Sequence, residues 1–348
     1  ADLEMVNRRV EKATKAAKGD KKFLHEAEVF KALAAHLDSG KSARTFDCDK
    51  DDRAIVETAD LLSLKPIIYA ANMDEDGVVS ELDRNDFTIE IKGEKIRPDY
   101  ALILIHGTPG EDGRLQGYLD MMKIPYSSCG FVTSVITFDK SACKRALAGT
   151  GIDLAREILV GRNTKIDPAA VAGELGLPLF VKPNASGSSF GVTKVKSADQ
   201  ILPAVEKAFA ESDHVLIEEY IQGREISCGV LIAGGREYLF PITELVCETE
   251  FFDYDAKYKG LSKEITPAPL DAEIVRKVNA MTLSAYKTLN CRGVVRIDFI
   301  VKGDRPYLIE VNTIPGMSAH SIIPQQAAAM GMSMSELFDL IIEETSQA

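Results

Sequence analysis

Val294-Val295-Arg296-Ile297-Asp298-Phe299-Ile300-Val301 and, beyond a turn at Gly303-Asp304, Pro306-Tyr307-Leu308-Ile309-Glu310-Val311-Asn312 read as two strands of one β-hairpin. Side chains alternate along a strand, so Arg296 and Asp298 share a face, and Glu310 and Asn312 share a face. The apolar residues between them mark a buried sheet, where carboxylates without partners are costly. Cross-strand charge pairs on a solvated face are the plainer reading, and those apolar surroundings weaken it. Two carboxylates and an amide on adjacent strands suit Mg²⁺, which takes one or two carboxylates and completes its shell with phosphate and water.

Working outward, Thr313-Ile314-Pro315-Gly316-Met317-Ser318-Ala319-His320-Ser321 follows Asn312 directly. A glycine turn leading to Ser and His at a helix start offers N–H and hydroxyl donors to an anion. Upstream, Lys182-Pro183-Asn184-Ala185-Ser186-Gly187-Ser188-Ser189-Phe190-Gly191 lies between two short apolar strands. Taken alone it is more economically a flexible turn. Beside an acidic hairpin it reads as a phosphate cradle with a lysine at its entrance. The order is wrong for a P-loop, and the one Gly-Lys-Ser of the chain, Gly40–Ser42, has Ala35 in place of that motif's first glycine.

From residue 80 on, strand and helix patterns alternate, with helices expected at Leu115–Met122, Asp139–Ala148, Ala198–Phe209, Asp271–Leu289 and Ser333–Glu344. A strand is expected at Tyr100–Ile105, and a long functional loop at Glu248–Lys263. Residues 1–64 are helical in pattern: Leu3, Val6 and Val10 fall on one face, and Phe23, Ala27, Phe30, Leu33 and Leu37 on another. That pattern predicts an antiparallel helix pair, a third helix from Asp51 to Leu64, and a buried strand at Pro66–Ala71.

The net charge of −12 argues against nucleic acid as a partner. No apolar run approaches the roughly 18 residues of a membrane span, and Ala1–Lys22 has no apolar signal region. Six scattered cysteines without zinc spacing fit reduced thiols, and the expected location is the cytoplasm.

The spacing of Lys182 with its Ser/Gly loop, Glu218-Glu219-Tyr220-Ile221, Glu225, Arg296-x-Asp298 and Glu310-x-Asn312-x-x-Pro315-Gly316 resembles that of ATP-grasp ligases. Within them, His106-Gly107-x-x-Gly110-Glu111-Asp112-Gly113 and Asn312–Ser321 resemble the two signatures of D-alanine–D-alanine ligases. The resemblance covers about residues 83–348. It implies an α/β, ATP-grasp fold with a truncated N-terminal α/β domain: a remnant at 78–136, a central subdomain at 137–222 and a C-terminal subdomain at 223–348.

It also implies roles. Lys140, Lys182 and Ser189 would contact ATP phosphates. Glu218 and the backbone of Glu219 and Ile221 would hold adenine, and Glu225 the ribose. Asp298, Glu310 and Asn312 would hold two Mg²⁺ or Mn²⁺ ions, and Lys257 and Tyr258 lie in a loop that closes over ATP and substrate. Ser188 and Tyr258 would serve the first D-alanine and Ser321 the carboxylate of the second. His106 and Glu111 belong to the substrate signature, and Arg296 and the Gly316 N–H would meet the oxyanion. The activity implied is ATP-dependent joining of two D-alanines for peptidoglycan, with a D-alanine–D-lactate ligase as the alternative. A homodimer is a further expectation.

Residues 1–77 resemble another family. Lys15-Ala16-Ala17-Lys18-Gly19-Asp20, Gly40-Lys41-Ser42-Ala43-Arg44 and Lys65–Glu75 are similar to the helical insertion and following strand of Obg-like ATPases. Residues 1–80 show neither the Gly-rich turn nor the subsite glutamate with which D-alanine–D-alanine ligases open. The sequence leaves a natural fusion, a chimera and a mis-joined gene all open, together with a catalytically impaired ATP-binding protein. The expectation is that Ile67–Ala71 pairs alongside Leu102–Ile105. Helices 3–39 would then form an arm able to dock a protein partner, and the ATP half-site would survive better than the first D-alanine site.

Overall fold

In the computed structural model of the chain, the described residues are 2–17, 23–38, 43, 46–59, 82–83, 85–91, 94–186, 191–247 and 262–346. They fall into two compact units, one before residue 60 and the other from Leu82 onward. In the first, α1 (Asp2–Ala17), α2 (Phe23–Asp38) and α3 (Lys50–Glu57) enclose Val6, Phe30, Leu33 and Val56. This is the apolar stripe the sequence displays. Asp49 caps α3 by accepting from the N–H groups of Asp51 and Asp52. The helix ends at Glu57 with Thr58 as its C-cap, short of the expected Leu64, while the strand at Pro66–Ala71 and its pairing lie outside the described residues.

The second unit begins with a small antiparallel sheet of β1 (Leu82–Asp83), β2 (Thr88–Ile91) and β3 (Glu94–Ile96). Tyr100–Ile105 forms no strand. Ala101 makes a parallel bridge to Tyr126, and the Ile103 N–H turns to the Ser127 hydroxyl at 2.8 Å, which ends the ladder. Helices α4 (Arg114–Met122), α5 (Phe131–Phe138) and α6 (Lys140–Leu147) follow.

A four-stranded sheet comes next, in the order β4-β7-β5-β6: β4 (Glu157–Gly161), β5 (Leu179–Pro183), β6 (Thr193–Val195) and β7 (His214–Glu219). Helices α7 (Pro168–Leu175) and α8 (Ile201–Ala208) cover it around Leu179, Val181, Ile201 and Ile217.

The remaining strands, β8 (Arg224–Ala233), β9 (Arg236–Leu239), β10 (Thr243–Cys247), β11 (Ser262–Ile265), β12 (Val295–Lys302) and β13 (Arg305–Asn312), form a six-stranded sheet. Its order is β11-β10-β8-β12-β13, with β9 on β8. Helix α9 (Ala272–Thr288) packs Val278, Ala285 and Tyr286 onto it. The hairpin at Gly303-Asp304 forms as the sequence predicts, with Lys302 opposite Arg305. The chain closes with α10 (Ile322–Ala329) and α11 (Met334–Thr345), the latter opened by a reciprocal Ser333/Glu336 capping box. The segment leading into β4 runs against β13, where Leu154 forms a parallel bridge to Leu308 and Arg305 pairs with Asp153 at 2.7 Å. No described helix is long and apolar enough to cross a membrane.

Candidate active site

The hairpin carries the centre of the site. Arg296 stands directly opposite Asn312, and Asp298 opposite Glu310, so all four side chains gather on one face. The next pair is Phe299 with Leu308, which leaves Ile309 as the extra residue of a bulge. Bulges re-aim neighbouring side chains and recur beside active sites. Asp298 is 7 % exposed and fully engaged. Its Oδ1 accepts from Ser227 Oγ at 2.6 Å and Arg296 Nε at 2.9 Å, and its Oδ2 from Arg296 Nη2 at 2.8 Å and Asn312 Nδ2 at 2.9 Å. Donating its amide nitrogen directs the Asn312 carbonyl oxygen away from Asp298. Burial alone would lower the Arg296 guanidinium, but the Asp298 carboxylate outweighs it and holds it above its ordinary value.

The donor chemistry fits a hard divalent cation. Asp298, Glu310 and Asn312 offer carboxylate and amide oxygens from facing positions of the hairpin. Among the described residues no three His, Cys, Asp or Glu side chains group around a metal position, so such a site depends on the Asn312 amide.

The facing sheet supplies cations. Asp139 caps α6, and the Asn184 side chain accepts from the Ser141 N–H at 3.0 Å, so the loop after β5 pins the start of that helix. Lys140, its first residue, donates to the Ser186 carbonyl at 2.9 Å and lies 3.9 Å from Glu310 Oε2. Burial, with a contribution from Lys182, lowers its ammonium against the pull of Glu310. Lys182 donates to Glu218 Oε2 at 2.6 Å.

Glu218 also pairs with Lys144, a residue the sequence reading did not single out. Lys144 reaches Glu157 Oε2 at 3.0 Å and the Ala155 carbonyl at 3.0 Å. Burial would raise the Glu218 carboxyl, but Lys182 and Lys144 hold it below the usual carboxylate range. Glu219 points its carboxylate at Arg156, and its N–H donates to the Arg156 carbonyl at 3.0 Å. Ile221 is buried just beyond β7, and Glu225 sits on β8 opposite Ile300.

A third group closes the site. Gly316, Ser321 and His106 converge: a Cβ on Gly316 would stand 2.6 Å from Ser321 Oγ and 3.8 Å from His106 Nε2. Ser321 opens α10 with its hydroxyl on Ser318 at 2.8 Å. Glu111 accepts from the Gly107 N–H at 2.6 Å. Burial raises its carboxyl, and it feels the charges of His106, Glu310 and Arg296. Thus Lys140, Lys182, Glu218, Arg296, Asp298, Glu310, Asn312, Gly316, Ser321, His106 and Glu111 fall in one region of the unit. Ser188, Ser189, Lys257 and Tyr258 lie outside the described residues. Lys144, Glu157, Ser227 and Gln326 had no local signal, because each is joined to the site only through residues distant in sequence.

Comparison with known proteins follows the same lines. The family model for the D-Ala-D-Ala ligase C-terminus matches residues 151–343, and the model for the N-terminus matches residues 18–129. The second match begins at residue 18 and so overlaps most of residues 1–77, which the sequence alone likened to Obg-like ATPases; that likeness gains no support from these matches. The D-alanine–D-alanine ligase of Phocaeicola vulgatus is 49 % identical over 269 residues, spanning 77 % of this chain and 83 % of that protein. The crystal structure of D-alanine–D-alanine ligase from Bacillus anthracis complexed with ATP superposes with a TM-score of 0.63 at 36 % identity, over 72 % of this chain and 79 % of that one. The VanG D-Ala:D-Ser ligase from Enterococcus faecalis gives a TM-score of 0.68 at 27 % identity, over 91 % of this chain and 95 % of that one. By the extent of these matches, the chain belongs to the D-alanine–D-alanine ligase family.

Proposed function

We propose that this chain joins two D-alanines into D-alanyl-D-alanine with ATP, through an acyl phosphate, in the cytoplasm and for peptidoglycan precursor synthesis. The observation that carries this reading is the 3.9 Å approach of Lys140 to Glu310, which brings the cationic half of the site to the paired acids. The first D-alanine's carboxylate attacks the γ-phosphorus in line and ADP leaves. Lys140 and Lys182 place positive charge along the phosphates during that displacement. Bound at Asp298, Glu310 and Asn312, Mg²⁺ or Mn²⁺ would neutralise charge on the phosphoryl oxygens.

The second D-alanine's amine then attacks the acyl carbon and phosphate departs. Arg296 and the Gly316 N–H stand ready for the tetrahedral oxyanion, as preorganised donors do in acyl transfer. Ser321, with His106 beside it, receives the second substrate's carboxylate. Glu218, kept ionised by its two lysines, accepts from the adenine amino group. Residues 137–222 and 223–348 act in this reading as the two subdomains that clasp the nucleotide, and 78–136 as the remnant that supplies His106 and Glu111.

A coupled assay with ATP and Mg²⁺ tests the proposal. ADP release should require D-alanine, and the product should be the dipeptide. A depsipeptide formed preferentially when D-lactate is added would assign a D-alanine–D-lactate ligase. Nucleotide binding without ligation under any acceptor would make the chain an ATP-binding protein only.

A further inference from the structure

Strand β8 changes partner midway. Its register with β10 runs through Ser227, and its register with β9 begins at Val230. Between them the side chain of Gln326, wholly buried on α10, stands in for a strand. Its Oε1 accepts from the Gly229 N–H at 3.1 Å, and its Nε2 donates to the Ser227 carbonyl at 2.9 Å and to Thr243 Oγ1 at 3.0 Å. A carboxamide offers a donor and an acceptor as a peptide group does, so it closes the gap in the ladder. Any Cβ at residue 229 would sit 2.7 Å from Gln326 Oε1, so the glycine permits the approach. Ser227 lies opposite Asp298 and donates its hydroxyl to Oδ1 at 2.6 Å. Ser227 is itself wholly buried, out of reach of bulk solvent.

We propose that Gln326 and Ser227 are positioning residues for the metal-binding carboxylate of Asp298: Gln326 fixes β8 at Ser227, and Ser227 fixes the carboxylate. Gln326 lies on the helix that Ser321 opens. The relay therefore couples the segment receiving the second substrate to the strand holding the cation. The inference rests on the proposed role of Asp298 as a metal ligand. Partners that orient a ligating carboxylate act on metal affinity without touching the ion.

The test uses the full chain with a non-hydrolysable ATP analogue and Mn²⁺, counting free Mn²⁺ by its paramagnetic resonance. Ser227→Ala should weaken Mn²⁺ binding by about tenfold or more, and Ser227→Thr, which restores a hydroxyl, should recover it. Gln326→Leu should weaken it similarly while metal-free binding of the analogue stays at the parent level. Asp298→Asn separates the two layers. If that variant binds Mn²⁺ as the parent does, the metal reading itself fails. If it loses Mn²⁺ while Ser227→Ala retains parent affinity, the positioning role is overturned and the metal reading stands. Should Gln326→Leu not fold, Gln326→Glu, which keeps the acceptor for the Gly229 N–H but loses the donor to the Ser227 carbonyl, takes its place, and parent-level Mn²⁺ affinity in that variant would overturn the Gln326 step.

Discussion

Glu310 and Asp298 face each other across two strands yet differ in surroundings. Asp298 is enclosed by four donor contacts, whereas the Glu310 side chain is 37 % exposed. Glu310→Gln should therefore leave the fold intact while ligation falls about a hundredfold or more, the equivalent of roughly 3 kcal/mol of lost charge stabilisation. Near-normal ligation by that variant would remove Glu310 from the site. Arg296→Ala should lower turnover by about 10²–10³, and Arg296→Lys should recover little, because a point charge does not reproduce the two-pronged contact with Asp298. A change confined to the ATP Michaelis constant would instead place Arg296 on the nucleotide. Lys144 makes a prediction about pH. Glu218 titrates below its unfolded value, so its contribution to stability is present at neutral pH and is lost as pH falls through the lowered value. Lys144→Met removes one of the two charges responsible. Acid unfolding, followed by circular dichroism, should begin at a higher pH than in the parent, and neutral stability should drop by on the order of 3 kcal/mol. An unmoved acid limb would mean that Lys182 alone sets Glu218.

At the scale of elements, the link between the sheets is short: β7 ends at Glu219 and β8 starts at Arg224. Gly223 in this link lies so close to β12 that a Cβ would meet the Val301 carbonyl oxygen at 2.3 Å. Backbone cannot retreat as a side chain can, so Gly223→Ala should destabilise by about 1–3 kcal/mol, read as a lower urea midpoint with an unchanged slope. An unchanged midpoint would show that the link moves freely. The elements that sequence made legible share one property: a periodic apolar pattern with clear punctuation. Alternation and a two-residue turn made the hairpin at Gly303-Asp304 legible, but not the meeting of its four polar side chains: counted from Lys302 opposite Arg305, strict register would set Asp298 opposite Ile309, and the bulge at Ile309 is what brings Glu310 and Asn312 across from Asp298 and Arg296. Helix α5 escaped notice because Phe131-Val132-Thr133-Ser134-Val135-Ile136-Thr137-Phe138 is rich in β-branched and aromatic residues that favour strands. Its helical state comes from packing, including the Thr133 hydroxyl on the Leu289 carbonyl at 2.8 Å. Strand β4 was missed because Glu157–Gly161 buries little besides Val160 and shows no alternation. Lys144 and Gln326 were illegible for another reason. Glu218 and Ser227, the partners that give them meaning, are brought close only by the completed sheets.

At the scale of the whole molecule, the division into two units has an energetic consequence. The first has its own core around Phe30, Leu33 and Val56, and the second has separate cores beneath its two large sheets. Every described candidate for ATP and metal lies in the second unit. A protein with separate cores need not unfold in one step. Phe30 is wholly buried, so Phe30→Ala should cost the first unit about 3–5 kcal/mol through lost transfer energy and the cavity left behind. The second unit keeps every described contact of the nucleotide site. Differential scanning calorimetry of the full chain should then show the earlier transition moving down alone. A non-hydrolysable ATP analogue with Mg²⁺ should raise the later transition by the same amount in parent and variant, since a ligand stabilises only the state that binds it. A single transition that shifts as a whole in Phe30→Ala, or an analogue effect that disappears with it, would show that the helical unit is part of the ligase fold rather than a neighbour to it.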